Sequence, residues 1–133
     1  MMKHGATIGF SLIELMICIG IIGILAALIF PNYQLYIVRS NTVAAQQYLL
    51  ELVSLQNQAM FDNHGYTEQL EALGASPIER VKAHYDIAIT NVNNTSHPPT
   101  YSIQAIAKPG SMQVTSSPLT INHLGQKSVG WYE

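Results

Sequence analysis

The sequence predicts an α+β protein: one long N-terminal helix that enters a small domain and packs against an antiparallel sheet of three to four strands. Three observations carry this. Residues 10–30 form an apolar run in which Glu14 is the one charged side chain. From Ile37 to Ala59 apolar residues recur at three- to four-residue steps, the period of a helix with one buried face. From Tyr85 onward they alternate instead, as in half-buried strands.

The bulk numbers bound the answer. A chain of 133 residues and formal net charge −2 is enough for one small domain. Hydrophobic residues make up 48% and charged residues 11%, against roughly 25% charged in ordinary soluble domains. The apolar excess sits at the N-terminus, and beyond Asp62 the chain turns polar. With no basic patch or acidic tail, composition suggests no nucleic-acid partner. Cys18 is the one cysteine, so an intrachain disulfide is impossible and cysteine usage says nothing about redox compartment.

The first element is the apolar run. A helix needs about 20 apolar residues to cross the hydrocarbon core of a bilayer, and this run is that long. It exceeds the roughly 7–15 apolar residues of a secretory signal. The remaining chain is too small to wrap an all-round apolar helix of this length in a soluble core. Lys3 ahead of the run favours a cytoplasmic N-terminus. Glu14 admits two readings by position alone: a negative charge that suits the start of a helix, or a carboxylate kept for a partner cation in an apolar setting. Gly20, Gly23 and Pro31 weaken the helix locally, although glycine and proline are common in membrane helices.

The second element continues the first. Ile37, Ala44, Tyr48, Leu52, Leu55 and Ala59 form a stripe that Ala45, Leu49 and Val53 widen. Arg39, Asn41, Gln46, Glu51 and Gln58 fall off that stripe or at its margin. One helix is therefore expected from about Phe10 to about Phe61, with Gly65 at a plausible stop. "TEQLEALGAS" reads as a short helix or turn ended by Gly74, and Pro77 restarts the chain. Residues 67–83 carry few strand signals.

The strands follow. Tyr85, Ile87 and Ile89 alternate with Asp86, Ala88 and Thr90, and "NVNNTSHPP" is turn chemistry. Tyr101, Ile103, Ala105 and Ala107 alternate with Ser102 and Gln104, a pattern Ile106 breaks before "KPGS" closes the strand. Leu119 and Ile121 mark a third strand, "NHLGQKS" a further turn, and Trp131 and Tyr132 end the chain.

Gly9-Phe10-Ser11-Leu12-Ile13-Glu14 resembles the processing site of type IV prepilins, G–F–[ST]–L–[IV]–E, and the resemblance continues through "LMICIGIIGILAALIFPNYQLYIVRS". "AQQYLLELVSLQNQAMFDNHGYTEQLEALG", "YSIQAIAKPGSMQ", "LTINHLGQKS" and a terminal Trp resemble PilE-like minor pilins in order. The resemblance implies the type IV pilin fold and three parts: a leader at 1–9, a transmembrane and assembly helix at 10–31, and a periplasmic globular domain at 32–133. It implies cleavage between Gly9 and Phe10 by a prepilin peptidase and methyltransferase, with N-methylation of Phe10. It implies that Glu14 neutralises the Phe10 amine of a neighbouring subunit, and that the helix between Gly23 and Pro31 can unwind in the filament. The expected partners are other pilins, major and minor, inner-membrane lipid before assembly, and the pilus assembly machinery. The expected location is the inner membrane first, then the extracellular fibre. Many such pilins tie the C-terminal region with a disulfide. This chain has Ser116, Ser117 and Pro118 where one cysteine would stand, so packing of Trp131 must hold that region.

No catalytic or cofactor pattern stands out. His64, His84, His97 and His123 are widely spaced and form no metal-ligand motif. Glu68, Glu71 and Glu79 are spaced as on a solvated face. Asn94-Thr95-Ser96 matches a glycosylation sequon, with a turn as the simpler reading. The functional expectation is a structural subunit of a type IV pilus serving adhesion, twitching motility or DNA uptake, without cofactor or enzymatic activity. A pseudopilin of a type II secretion system is one alternative. A DNA-binding receptor pilin is another; 5 basic residues after loss of Lys3, against 8 acidic ones, count against it.

Overall fold

The computed structural model describes residues 9–116 and 118–132, apart from the side chains at 31 and 116. Lys3, Ser117 and the expected leader up to residue 8 lie outside the described residues. The chain divides into two compact units, one up to Tyr36 and one from Ile37 onward.

The first long element is helix α1, Leu12–Asn63. It runs unbroken through Gly20, Gly23 and Pro31. A Cβ built at Gly20 or Gly23 would meet nothing within 4 Å, so neither glycine is there for close packing within one chain. The N-terminal part of α1 is long and apolar enough to cross a membrane. Its large apolar side chains from Leu12 to Tyr36 are exposed, as is Phe10 ahead of it.

The second unit has the core. A 3-10 turn at Glu71–Leu73 follows α1 and ends on Gly74 in the left-handed region, φ 65°, a conformation that glycine adopts without a Cβ clash. Helix α2 spans Glu79–His84. Strand β1 spans Tyr85–Asn93, β2 Thr100–Ala107 and β3 Leu119–Asn122. They form one antiparallel sheet of three strands in the order β1-β2-β3. Ile89 pairs with Ile103, which pairs with Ile121; Ala105 pairs with Leu119. These residues share one face of the sheet, and they bury it with Tyr85 and Tyr101 in the same core as Ala45, Tyr48, Leu49 and Leu52 of α1. An amphipathic stripe laid on an alternating sheet is the economical way to bury both apolar faces. Ile106 does not break the alternation: it pairs with Asp86 on the outer face and is exposed, between buried Ala105 and Ala107.

Three expectations need correction. Asn41 and Gln46 are not marginal; they are buried, at 6% and 5% exposure. The buried positions 41, 45, 48 and 52, with 42, 46, 49 and 56, keep helical spacing, so the stripe is one residue wider and more polar than the apolar pattern suggests. Gly65 is not the helix stop: His64 takes the left-handed conformation at φ 57°, and its N–H still donates to the Met60 carbonyl at 3.1 Å. Gly65 serves close approach instead, since a Cβ there would lie 3.1 Å from Asn94 Nδ2. Helix α2 was not foreseen, because one buried residue, Val81, gives no readable period.

Buried polar groups pin these elements. Thr42 Oγ1 lies 3.1 Å from the Tyr85 hydroxyl, joining α1 to β1. Gln56 donates to the Thr67 carbonyl at 2.6 Å and accepts from the Thr67 N–H at 3.1 Å, folding the chain after α1 back onto it. At the surface, Asn94 makes the same pair of bonds, accepting from the Tyr66 N–H at 2.8 Å and donating to the Tyr66 carbonyl at 3.0 Å. Its amide is thus engaged in holding a turn, as the turn reading of Asn94–Ser96 expects.

The C-terminal region is held without a disulfide. The Ser128 hydroxyl accepts from the Thr120 N–H at 2.9 Å and donates to the Pro118 carbonyl at 3.1 Å. Trp131 Nε1 donates to the Thr120 carbonyl at 3.2 Å, and the Lys127 ammonium sits 4.8 Å from the centre of the Trp131 ring. Trp131 packs half-buried against the core. Trp131→Ala should therefore cost about 2 kcal/mol, less than the 3–5 of a fully buried Trp. Thermal unfolding of wild type and variant checks this.

Two tyrosines make the domain sensitive to alkali. Burial and the neighbouring Glu51 carboxylate raise Tyr48 above its ordinary value. Burial, then Tyr66, pushes Tyr101 from 10.0 to about 12. A phenol that holds its proton longer in the folded state contributes stability that is complete below pH 10 and is lost as the pH rises towards 12. The melting temperature should fall over that window, and Tyr101→Phe should make the fall shallower. At neutral pH the variant should be no less stable, because the Tyr101 hydroxyl is buried without a hydrogen-bond partner among the described residues.

Candidate assembly site

The site expected from the sequence lies at the start of α1. Ser11 precedes the first helical residue, and its carbonyl accepts the Leu15 N–H at 3.1 Å, which makes Ser11 the N-cap. Glu14, three residues on, turns back so that Oε2 accepts the Ser11 N–H at 3.0 Å. This is the carboxylate half of a capping box. It satisfies one of the four amides that a helix start leaves without intrahelical partners, in a segment whose surroundings are apolar. The Ser-x-x-Glu spacing carries this signal in the sequence; treating Glu14 only as a charge overlooks it.

Around this carboxylate nothing is buried. Phe10, Leu12, Ile13 and Leu15 are all more than half exposed. An apolar surface of this extent on one chain marks a membrane or protein contact. The geometry holds a carboxylate one residue from the Phe10 nitrogen and surrounds both with apolar side chains that have no partner in the single chain.

The other candidate groups are scattered. His64 caps α1; the His84 carbonyl accepts the Lys108 N–H at 2.9 Å; His123 stacks edge-on to Tyr101 at 6.4 Å. Among the described residues no three His, Cys, Asp or Glu side chains come together as a metal site. An open cleft at the C-terminal end of α1 is lined by Leu55, Gln58, Ala59, Asp62, Asn63, Ala72 and Leu73; Asp62 is its one titratable group, so it holds no acid–base or nucleophile–base pair.

Comparison with known proteins shows the family. Residues 8–30 match the prokaryotic N-terminal methylation motif. Residues 31–117 match the family described as type IV minor pilin ComP, DNA uptake sequence receptor. The chain belongs to the type IV pilins. It is 35% identical over 89 residues to the type IV wide pilus major component PilA4 of Thermus thermophilus, covering 67% of this chain and 68% of that protein. It is 39% identical over 89 residues to the type IV major pilin protein PilE1 of Neisseria gonorrhoeae, covering 64% of this chain and 40% of that one. Within the helix the likeness is higher: 69% over 33 residues to the type IV major fimbrial protein FimA of Dichelobacter nodosus, 25% of this chain and 21% of that protein.

This pilin has the fold its family implies, a long N-terminal helix on a small antiparallel sheet. It is a structural subunit that assembles with other pilins into a pilus, and the apolar N-terminal part of α1 is the membrane anchor of the prepilin.

Proposed function

We propose that the chain is a minor pilin, cut after Gly9 by a prepilin peptidase and methylated on the new Phe10 amine. The globular domain faces the periplasm until the assembly machinery draws the subunit into the fibre. There Glu14 neutralises the Phe10 amine of a neighbouring subunit, and the helix between Gly23 and Pro31 loosens as the subunits pack. The fibre serves adhesion, twitching motility or DNA uptake. The observation that carries this reading is the Glu14 carboxylate bonded to the Ser11 N–H at the apolar, exposed start of α1. Burying such a carboxylate among neighbouring helices is costly unless a cation meets it, and the Phe10 amine supplies one without any further charged side chain in the helix. The test is fractionation of cells that express the full chain: it should be recovered with fibres sheared from the surface. A chain confined to the membrane fraction would overturn the proposal.

A second reading is a DNA-binding pilin. It is favoured by the description of the minor-pilin family that matches residues 31–117, and Arg39, Arg80, Lys82 and Lys108 supply cations for a phosphate backbone. Salt-sensitive retention of duplex DNA by fibres, lost in Arg80→Glu with Lys82→Glu, would support it.

A further inference from the structure

Glu51 and Lys127 apart, the described charges of the globular unit fall into two groups by position along α1. Arg39 lies near the point where α1 enters this unit and stacks 5.1 Å from the centre of the Tyr132 ring. Arg80 Nη1 donates to the Ser40 hydroxyl at 3.2 Å, which brings α2 to the same end. Lys82 is two residues on in α2. Lys108 joins them, since its N–H donates to the His84 carbonyl and its ammonium is 3.7 Å from Asp86. At this end four cations face two carboxylates, Glu79 and Asp86, of which Asp86 is already used by Lys108. The other end of α1 is acidic. Asp62 stands in its last turn. The Gln56–Thr67 bonds hold Glu68 close by, and Glu71 begins the 3-10 turn whose Ala72 and Leu73 line a cleft with Asp62. No described cation pairs with these three carboxylates. Between Arg39 and Asp62 the helix rises about 35 Å, several times the ~8 Å screening length of physiological salt. The two ends therefore cannot neutralise each other within one chain.

Each end also exposes an apolar side chain that the fold leaves uncovered. Phe61, next to Asp62, is 87% exposed; Ile78, two residues before Arg80, is 58% exposed. We infer that the acidic end of one copy, with Phe61, docks on the basic end of a second copy at Arg80, Lys82 and Ile78. A contact between two different patches of one chain is heterologous, and where its rotation does not close a ring it propagates as an open filament, which suits a fibre subunit. Exposed ion pairs add little affinity singly. Their part is register: matched ends attract, whereas slipped packings that bring two acidic or two basic ends together repel. The affinity comes from the apolar helix.

The inference rests on the chain being a fibre subunit and adds that copies of it, minor or not, stand next to one another in the fibre; the test separates the two. Full-length chains with Glu68→Lys and Glu71→Lys, with Arg80→Glu and Lys82→Glu, or with all four changes are expressed in cells lacking the wild-type copy. The ratio of chain in sheared fibres to chain in the membrane is then measured. All four residues are exposed, so membrane levels should match wild type. Each double variant should lower the ratio about tenfold or more, and the fourfold variant should return it to within about twofold, because complementarity is restored with reversed sign. Phe61→Ser should lower the ratio without changing the melting temperature. Unchanged ratios in the double variants, or no recovery in the fourfold one, overturn the inference while leaving the pilin reading intact. Loss of DNA retention in Arg80→Glu with Lys82→Glu at an unchanged ratio overturns it in favour of a nucleic-acid partner. Absence of wild-type chain from fibres overturns both.

Discussion

Glu14→Gln should reach the membrane and be processed as wild type, yet be lost from fibres. The substitution separates two roles that the structure superimposes on one side chain. Glutamine at the third helical position completes a capping box as glutamate does, so the bond now made from the Ser11 N–H to Oε2 survives. Only the charge goes. If the carboxylate meets a neighbour's Phe10 amine in the fibre, its loss strands that amine among apolar helices, at a cost of about 3–5 kcal/mol. That corresponds to more than about a hundredfold in incorporation, read as the variant's own abundance in sheared fibres. Glu14→Ala removes cap and charge together and is the necessary comparison. Wild-type incorporation of Glu14→Gln with failure of Glu14→Ala would leave Glu14 as a helix cap and nothing more.

Leu52→Ala should have the largest effect on the domain itself. Leu52 is fully buried where α1 meets the sheet. Truncation there costs about 2–5 kcal/mol through lost burial and the cavity left behind, a large share of the 5–15 kcal/mol that stabilises a typical domain. For a unit of about 100 residues this lowers the melting temperature by roughly 10–40 °C. Leu50→Ala, two residues away on the exposed side of α1, should leave the melt nearly unchanged. Circular dichroism melts of the full chain in detergent compare the two. Equal shifts would mean that α1 does not present one face to the sheet.

Much of this fold can be read from periodicity. The change from a three-to-four-residue step to a two-residue step marks the passage from α1 to β1, and the inward residues Ile89, Ile103 and Ile121 follow from alternation alone. The polar groups are harder to read. Thr42, Gln46 and Gln56 lie on the buried stripe of α1, yet a pattern built on apolar residues assigns them to water. Two of them are buried because they join separate elements: Thr42 bonds to Tyr85 and Gln56 to Thr67. Those partners come into reach only once the chain has folded. Helix α2 is hidden for a related reason, as Val81 alone is its buried residue. His64 holds the left-handed position at the end of α1, while Gly65 leaves room for Asn94, whose amide bonds Tyr66 from 28 residues away. At the N-terminus the motif from Gly9 to Glu14 is local, so its chemistry is open to reading, and the cap between Ser11 and Glu14 is a three-residue relation of the same kind.

Processing at Gly9 and entry into a fibre through the new N-terminus are both read in the intact mass of the chain recovered from sheared fibres. The expected species is a mature protein that begins at Phe10 and carries one methyl group. A chain that keeps residues 1–9, or one that begins after Ala26 or Ala27 as ordinary signal-peptidase cleavage would leave it, would contradict this.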